Sequence, residues 1–113
     1  MSAAEEAVFS ALADPTRRRL IERLGREPTV TASGLAADLP ISRQAIAKHL
    51  ATLRRARLVR ARRVGRETRY SLDAAPLSEA ARWIARVGGE WDERLADLER
   101  LLERDGGGRA QRP

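Results

Sequence analysis

The stretch of sequence that decides the fold is Thr31–Leu72, which reads TASGLAADLPISRQAIAKHLATLRRARLVRARRVGRETRYSL. It begins with a short helix pattern, and a tight turn at Pro40-Ile41-Ser42 separates this from a second, longer helix pattern. Thr31 and Ser42 are residue types that accept hydrogen bonds from the first amides of a helix, so each can cap the helix that follows it. The arginine-rich segment Leu58–Leu72 has the pattern of a β-hairpin. The sequence therefore predicts two helices joined by a tight turn and followed directly by a hairpin.

The second helix of this stretch, predicted over Arg43–Ala56, has two different faces. At 100° per residue, Ile46, Leu50 and Leu53 lie within about 60° of one another and form a stripe suited to burial. Near the helix N-terminus the other side is small and polar with one long cation, unlike the dense paired charge of many solvated faces. This outer face is therefore a candidate contact surface, and its residues are Gln44, Ala47, Lys48, Ala51, Thr52 and Arg55.

The hairpin pattern has a register that can be counted from its turn. Gly65-Arg66 fits a two-residue turn with glycine in the first position, which pairs Val64 with Glu67 and Arg62 with Arg69. Like charges directly opposite each other destabilise a sheet, so a compensating anion such as phosphate is expected beside the two arginines. A solvated charged face is the alternative. One face of the hairpin should carry Val59, Ala61, Tyr70 and Leu72, and the other Arg60, Arg62 and Arg69.

Further helical patterns flank these elements. Asp14 and Pro15 fit the N-cap and first position of one helix, and Gly25 fits its C-cap. The residues Arg26–Val30 are predicted to form a loop or a short strand. The other predicted helices span Ala3–Leu12, Pro15–Leu24, Ala32–Leu39 and Pro76–Arg104. We therefore predict a mainly α fold with a small β-hairpin, in the order α-α-α-α-β-β-α.

The last predicted helix, over residues 76–104, is long and amphipathic. Gly88-Gly89 interrupts its pattern and predicts either a kink or a close approach to another helix. Residues 1–105 are expected to form one domain that ends in this helix, with a flexible tail over 106–113. Apolar residues recur along it at steps of three or four, at Trp83, Val87, Trp91, Leu95, Leu98 and Leu102.

Charge is spread unevenly over the 113 residues. Between Thr16 and Arg69 there are 15 basic and four acidic residues, a net +11, whereas Pro76–Asp105 has five basic and eight acidic residues, a net −3. The first region is expected to seek a polyanion. The chain has no cysteine, so it has neither disulfides nor thiolate metal ligands. No apolar stretch approaches the roughly 20 residues of a membrane span, and the acidic N-terminus does not resemble a secretory signal, so we expect a cytoplasmic protein.

The helix-turn-helix and hairpin together have the outline of a winged helix-turn-helix. In that arrangement the second helix enters the DNA major groove and the hairpin contacts the backbone beside it. Gln44 could read adenine, and Arg43 or Lys48 could read guanine. A helix pair that merely packs is the alternative for the helices alone. The predicted groove set is Ser42, Arg43, Gln44, Lys48, His49 and Thr52, and the predicted wing set is Arg62, Arg66 and Arg69.

Two segments resemble the ArsR-type (arsenic-repressor) winged-helix regulators. These are FSALADPTRRR at residues 9–19 and ISRQAIAKHLATL at residues 41–53, and the wing residues Leu58-Val59, Gly65-Arg66 and Tyr70-Ser71-Leu72 match as well. The resemblance implies a homodimeric DNA-binding regulator, usually a repressor that acts on palindromic operators, including that of its own operon. Many members sense metals with cysteines in the third helix or His/Asp pairs in the last. Here the third helix has no cysteine and the last no histidine, which indicates a non-metal branch with no metal site and no cofactor.

Each of the remaining candidate residues could have either a structural or a functional role. His49 is the only histidine, and one ligand cannot build a metal site, so it is expected to pack or to contact a phosphate. The aromatic stripe of the last helix is expected to form a subunit interface, with an apolar effector pocket as the alternative. The predicted interface residues are Phe9, Trp83, Val87, Trp91, Leu95 and Leu98.

Two other classes of function stay open at this point. One is a protein–protein interaction module that uses the C-terminal amphipathic helix and binds DNA non-specifically. The other is a small enzyme, for which the sequence offers no nucleophile–base pair and no phosphate-binding glycine loop. We therefore expect a DNA-binding regulator and no enzyme activity.

Overall fold

The computed structural model describes residues 1–105 of the chain, and the predicted tail over 106–113 lies outside them. Five helices and three short strands follow the predicted order, with one strand added before the third helix. Each predicted helix boundary agrees to within one residue. The elements are α1 Ala3–Leu12, α2 Pro15–Leu24, β1 Val30–Thr31, α3 Ala32–Asp38, α4 Arg43–Arg55, β2 Val59–Val64, β3 Glu67–Leu72 and α5 Ala75–Asp105.

The helices begin where side chains satisfy their first amides. Asp14 Oδ1 accepts from the backbone N–H of Thr16 at 2.7 Å, and Pro15 follows at the first helical position. Thr31 Oγ1 accepts from the Gly34 amide at 3.0 Å, and Ser42 Oγ accepts from the Ala45 amide at 3.1 Å. These contacts confirm the three caps predicted from the sequence, because each oxygen occupies the position that an orphan N–H requires.

The wing, defined as β2, β3 and their turn, has the predicted register. Gly65 takes the left-handed conformation with φ 63°, which glycine adopts without steric penalty. Arg62 lies opposite Arg69, as counted from that turn. The hairpin is also part of a larger sheet than the sequence predicted. Val30 of β1 pairs with Tyr70, so β3 is the central strand of a three-stranded antiparallel sheet in the order β1-β3-β2.

The hydrophobic core lies in the first of two units, Met1–Ala80. The stripe predicted for α4 is completely buried there, with Ile46, Leu50 and Leu53 each at most 1% exposed. The core fixes which side of α4 points outward, and its other fully buried side chains come from several elements: Val8, Leu20, Leu24, Leu35 and Leu58.

The end of α4 is a complete Schellman motif with an unusual residue. The Leu58 amide donates to the Leu53 carbonyl at 3.0 Å, and the Arg57 amide donates to the Arg54 carbonyl at 2.9 Å. The motif requires a left-handed residue, usually glycine, at the position of Arg57. Arg57 has φ 61°, a left-handed backbone conformation that is sterically unfavourable for a residue with a Cβ.

The second unit, residues 81–113, is described up to residue 105 and contains α5 from Ala81 onward. The helix continues through Gly88 and Gly89, and among described residues no atom outside the local helix backbone lies within 4 Å of a Cβ built at either. Neither glycine therefore marks a close helix contact within residues 1–105. None of the helices in residues 1–105 is long and apolar enough to cross a membrane.

Candidate nucleic-acid interface

The N-terminal half of α4 presents its polar side chains to solvent. Arg43, Gln44 and Lys48 are exposed, and within residues 1–105 none of them forms a hydrogen bond or salt bridge with another side chain. Ser42 is exposed as well, although its hydroxyl is occupied by the cap described above. Three long polar side chains on one helix are therefore available to an external partner.

Two other members of the predicted groove set have partners within the protein. Thr52 Oγ1 donates to the Lys48 carbonyl at 3.3 Å and accepts from an Arg55 guanidinium nitrogen at 3.2 Å. His49 is only partly exposed, and its Nδ1 lies 3.4 Å from a guanidinium nitrogen of Arg17. These two side chains are thus less available than the three beside them.

The wing arginines divide into paired and unpaired side chains. Arg62 and Arg66 are exposed and have no hydrogen-bond or ion-pair partner within the described part of the chain. Arg69, opposite Arg62, lies 3.8 Å from Glu67 Oε2, so the repulsion between the two arginines is partly offset. Arg63 points to the other face and donates to the Gly65 carbonyl at 3.2 Å. The face that carries Arg62 and Arg69 has an excess of positive charge, as the sequence predicted.

A groove of about 550 Å³ joins the recognition-helix candidate α4 to the wing. Arg43 from α4 and Arg66 from the wing tip both line it, so the fold brings together residues that are 23 positions apart in the sequence. Hydroxyl groups supplement the two guanidinium groups. The complete lining is Thr31, Ala32, Ser33, Arg43, Ala47, Arg66, Glu67, Thr68 and Tyr70. The lining thus includes one carboxylate, that of Glu67, beside two guanidinium groups and several hydroxyl groups, and the cations and hydroxyls suit a phosphate backbone.

Several arginines of α2 bind other parts of the protein. Arg17 donates to the α1 carbonyls of Ala11 and Ser10, and Arg18 donates to the carbonyls of Leu12 and Ala13. The carbonyls of Ala11, Leu12 and Ala13 lie at the end of α1, where helical donors are lacking, whereas the Ser10 carbonyl also accepts from the Ala13 amide at 3.3 Å. Fewer basic side chains of Thr16–Arg69 are therefore available to a polyanion than the net charge of that region suggests.

Arg23 also turns toward the protein. Its Nε lies 2.6 Å from Asp38 Oδ2, and a second nitrogen lies 3.3 Å from Glu27. The hydrogen bond with Asp38 raises the pKa of the Arg23 guanidinium above its usual value. This contact ties α2 to the end of α3. No feature of the local sequence pattern distinguishes Arg23 from its exposed neighbours.

Asp14, the N-cap of α2, also contacts Arg17. The pKa of its carboxyl is lowered, chiefly because the Arg17 backbone N–H donates to it, with the Thr16 amide and the nearby Arg17 charge acting in the same direction. Its Oδ2 lies 3.9 Å from the Arg17 guanidinium. The carboxylate is thus held in its charged form, where it serves as a helix cap.

The predicted subunit-interface residues are placed in two units. Phe9 of α1 is half-buried against the core of the first unit. In the second unit Trp83 is half-buried, while Trp91 is 57% exposed and Leu98 is 53% exposed. Exposed apolar side chains form a stripe along α5, which is called the apolar stripe below and consists of Ile84, Val87, Trp91, Leu95, Leu98 and Leu102.

The comparisons with known proteins agree with this geometry. A family model described as a helix-turn-helix domain matches residues 12–62. An ArsR-like transcriptional regulator from Rhodococcus sp. RHA1 is 47% identical, with a TM-score of 0.84 over 90% of this chain and 93% of that one. The HTH-type transcriptional regulator Rv2034 of Mycobacterium tuberculosis is 37% identical over 89% of this chain and 91% of its own length.

A third relative is the transcriptional repressor SdpR of Bacillus subtilis. It is 32% identical over 88 residues, which cover 78% of this chain and 97% of SdpR. The likeness to all three proteins extends well beyond the helix-turn-helix segment itself. The chain therefore belongs to the ArsR-type family of winged helix-turn-helix transcriptional regulators, a family of DNA-binding regulators and not of enzymes.

Proposed function

We propose that this chain is a homodimeric, cytoplasmic repressor that binds a palindromic DNA operator through α4 and the wing. The observation that carries the proposal is the groove shared by Arg43 and Arg66, because it presents two cations to one backbone. In this proposal α4 lies in the major groove, where Arg43, Gln44 and Lys48 contact base edges. Ser42 and Thr52 contact the backbone near them, and Arg62, Arg66 and Arg69 contact phosphates.

The DNA-binding part is tested by selection followed by substitution. The full chain is used to select duplexes from a random 30-base-pair library at about 150 mM salt, where non-specific binding is suppressed. A palindromic consensus is expected, with half-sites about one helical turn apart. Recovery of duplexes without any shared sequence would contradict specific binding.

Substitution then separates base contacts from phosphate contacts. Lys48→Ala should weaken binding to the consensus by about 1–3 kcal/mol and relax the preference at particular bases. Arg66→Ala should weaken consensus and scrambled duplexes alike and lower the salt slope by about 0.9 per subunit. Arg86→Ala removes an equal charge from α5, outside the proposed interface, and should leave both affinities unchanged. Equal behaviour of all three variants would show that the protein binds DNA by net charge alone.

We propose that the apolar stripe of α5 binds a second copy of this chain. At 100° per residue these apolar side chains and Gly88 lie within about 100° of one another, and the charged residues of the helix from Glu79 to Arg104 lie outside that sector. Exposed apolar stripes of this length are uncommon on monomers. A second copy is the favoured occupant because a palindromic operator requires two recognition helices related by a two-fold axis.

The proposed dimer is tested by light scattering on the full chain. Trp91→Glu places a charge in the stripe and should yield a monomer, whereas Ala85→Glu adds the same charge at an exposed position outside it. The wild type and Ala85→Glu should remain dimeric. A monomeric wild type with weak, sequence-independent DNA binding would favour the alternative function, in which α5 captures a different protein.

We further propose that DNA release does not depend on a metal ion and that the operator lies upstream of the chain's own gene. The chain has no cysteine, and its single histidine faces Arg17. Within residues 1–105 no three His, Asp or Glu side chains come together as metal ligands would. Operator affinity should therefore be the same with zinc and with a chelator. Zinc-dependent release from the consensus duplex would contradict this part of the proposal.

A further inference from the structure

Arg17 contacts two helices besides its own through the three nitrogens of one guanidinium group. Its Nε donates to the Ala11 carbonyl at 2.6 Å, and one terminal nitrogen donates to the Ser10 carbonyl at 3.2 Å. The other terminal nitrogen lies 3.4 Å from His49 Nδ1 on α4. The side chain is only 18% exposed, and its contacts with Ala11 and His49 are partly buried, whereas the contact with Ser10 is exposed. Arg17 thus connects α1 and α2 to α4.

The chemistry of this contact requires an arginine and a histidine acceptor. A planar guanidinium directs its N–H groups in several fixed directions, whereas a lysine ammonium is a single point of donation. Arginine has donors only, so His49 Nδ1 is the acceptor in this contact. Of the two α1 carbonyls that Arg17 contacts, the Ser10 carbonyl also accepts from the Ala13 amide, whereas the Ala11 carbonyl lies at the end of the helix, where helical donors are lacking, and accepts from the Arg17 side chain.

His49 is placed where it can control the rotation of α4. It lies on the edge between the buried stripe, which includes Leu50, and the exposed face, which includes Lys48. Apolar packing alone tolerates small rotations of a helix, while a hydrogen bond at the edge resists them. Side-chain atoms lie about 5–6 Å from a helix axis, so a rotation of about 10° moves them by about 1 Å. Such a shift is enough to spoil hydrogen bonds to base edges.

We propose that Arg17 and His49 are positioning residues, which fix the rotation of α4 against α1 and α2 without contacting DNA themselves. This inference rests on the proposed function, since it concerns how α4 reads an operator. It assigns His49 a different role from the other predicted groove residues. It also separates Arg17 from the arginines that contact phosphate.

The test compares two replacements of His49 by equilibrium binding. His49→Asn retains an acceptor close to the position of Nδ1, and His49→Ala removes it. Binding is measured to the selected consensus duplex and to its scrambled version from 50 to 300 mM salt. We expect His49→Ala to lose about tenfold in affinity for the consensus and little for the scrambled duplex. His49→Asn should stay within about threefold of the wild type on both, and all salt slopes should be unchanged.

Arg17→Lys and the double variant Arg17→Lys/His49→Ala complete a thermodynamic cycle. If the two side chains act as a unit, the double variant should bind the consensus no more weakly than either single variant. Circular dichroism checks that each variant is folded at the assay temperature. Should Arg17→Lys fail to fold, the comparison of His49→Asn with His49→Ala still decides the question.

Several results would overturn the inference. A salt slope lowered by about 0.9 per subunit, with equal losses on both duplexes, would show that His49 contacts phosphate. Equal binding by wild type and His49→Ala, absence of rescue by His49→Asn, or additive losses in the double variant would each show that the pair does not position α4. Arg43→Ala serves as the reference for the proposed function. If the wild type does not prefer the consensus, or Arg43→Ala does not weaken that binding, the proposed function itself fails.

Discussion

Replacing Arg62 by threonine is expected to stabilise the fold and to weaken the DNA complex. Arg62 and Arg69 are directly opposed on neighbouring strands, and both side chains are exposed. Their repulsion is present in the free protein and would be relieved by a bound phosphate. Removing one of the two charges therefore favours the folded free protein and removes a contact to the backbone.

The magnitude follows from the pairing. Two unit charges about 6 Å apart repel by about 0.7 kcal/mol in water. Glu67 lies 3.8 Å from Arg69 and cancels part of this repulsion. We therefore expect Arg62→Thr to raise the free energy of unfolding by about 0.5 kcal/mol, or a few degrees in Tm. The salt slope of DNA binding should fall by about 0.9 per subunit.

The assay combines urea unfolding of the free protein with DNA titrations, both at several salt concentrations. Arg63→Thr is the matched control, because Arg63 is an exposed neighbour on β2 that faces Thr68 instead of a like charge. Both variants gain the higher strand propensity of threonine. Arg63→Thr also loses the hydrogen bond to the Gly65 carbonyl, so the repulsion is the part of the stability difference that depends on salt. At 1 M salt, where the Debye length is about 3 Å, that part should largely disappear.

Two results would refute the reasoning. If Arg62→Thr is no more stable than Arg63→Thr at low salt, the two arginines do not strain the wing. If the salt slope is unchanged while the stability rises, the wing face does not contact the DNA backbone. The electrostatic argument and the wing contact can therefore fail independently.

Three further outcomes are expected. Arg57→Gly should raise the free energy of unfolding by about 0.5–1 kcal/mol because it relieves the left-handed backbone at the end of α4, whereas Arg57→Ala should not; equal urea midpoints for the two would contradict this. The pKa of Asp14 is lower in the folded than in the unfolded chain, so its carboxylate stabilises the fold above about pH 4 and this stabilisation is lost as the pH falls. The free energy of unfolding of Asp14→Asn should therefore be lower than that of the wild type at neutral pH and approach it in acid. An equally large difference at pH 2 would show that the charge of the carboxylate does not stabilise the fold. Gly89→Ala should stabilise α5 by about 1 kcal/mol. Gly88 lies on the same side of the helix as the apolar stripe, so Gly88→Ala should stabilise the protein less and should weaken the dimer. Identical dimer dissociation constants for the two variants would argue against a second copy at Gly88.

The hairpin could be predicted in detail because its information is local. Gly65 identifies the turn, and alternation along the two strands fixes the register, including the opposition of Arg62 and Arg69. The pairing of β1 with β3 could not be predicted, because a strand of two residues has no period. Val30 and Tyr70 meet through the folding of the intervening 39 residues, which local pattern does not describe.

The candidate site was predicted in part for a similar reason. Exposure of Arg43, Gln44 and Lys48 follows from the helix period, since the opposite side of α4 is apolar. The partners of Arg17 and Arg23 depend on where other helices end, which the period of α2 does not reveal. One signal was available for Arg17: α1 ends without glycine and has no basic residue in its last turn, so nearby donors were needed.

The short strand β1 ends at Thr31, which is also the N-cap of α3. Thr31 is thus both the last residue of the edge strand β1 and the cap of the first helix of the helix-turn-helix. If residues 59–72 alone were transferred to a related protein, the central strand β3 would have to pair with the β1 strand of that other protein. The transplantable module is therefore discontinuous in the sequence and includes Val30-Thr31 together with the hairpin, so that recombination between genes of this kind should succeed more often when both segments come from the same parent.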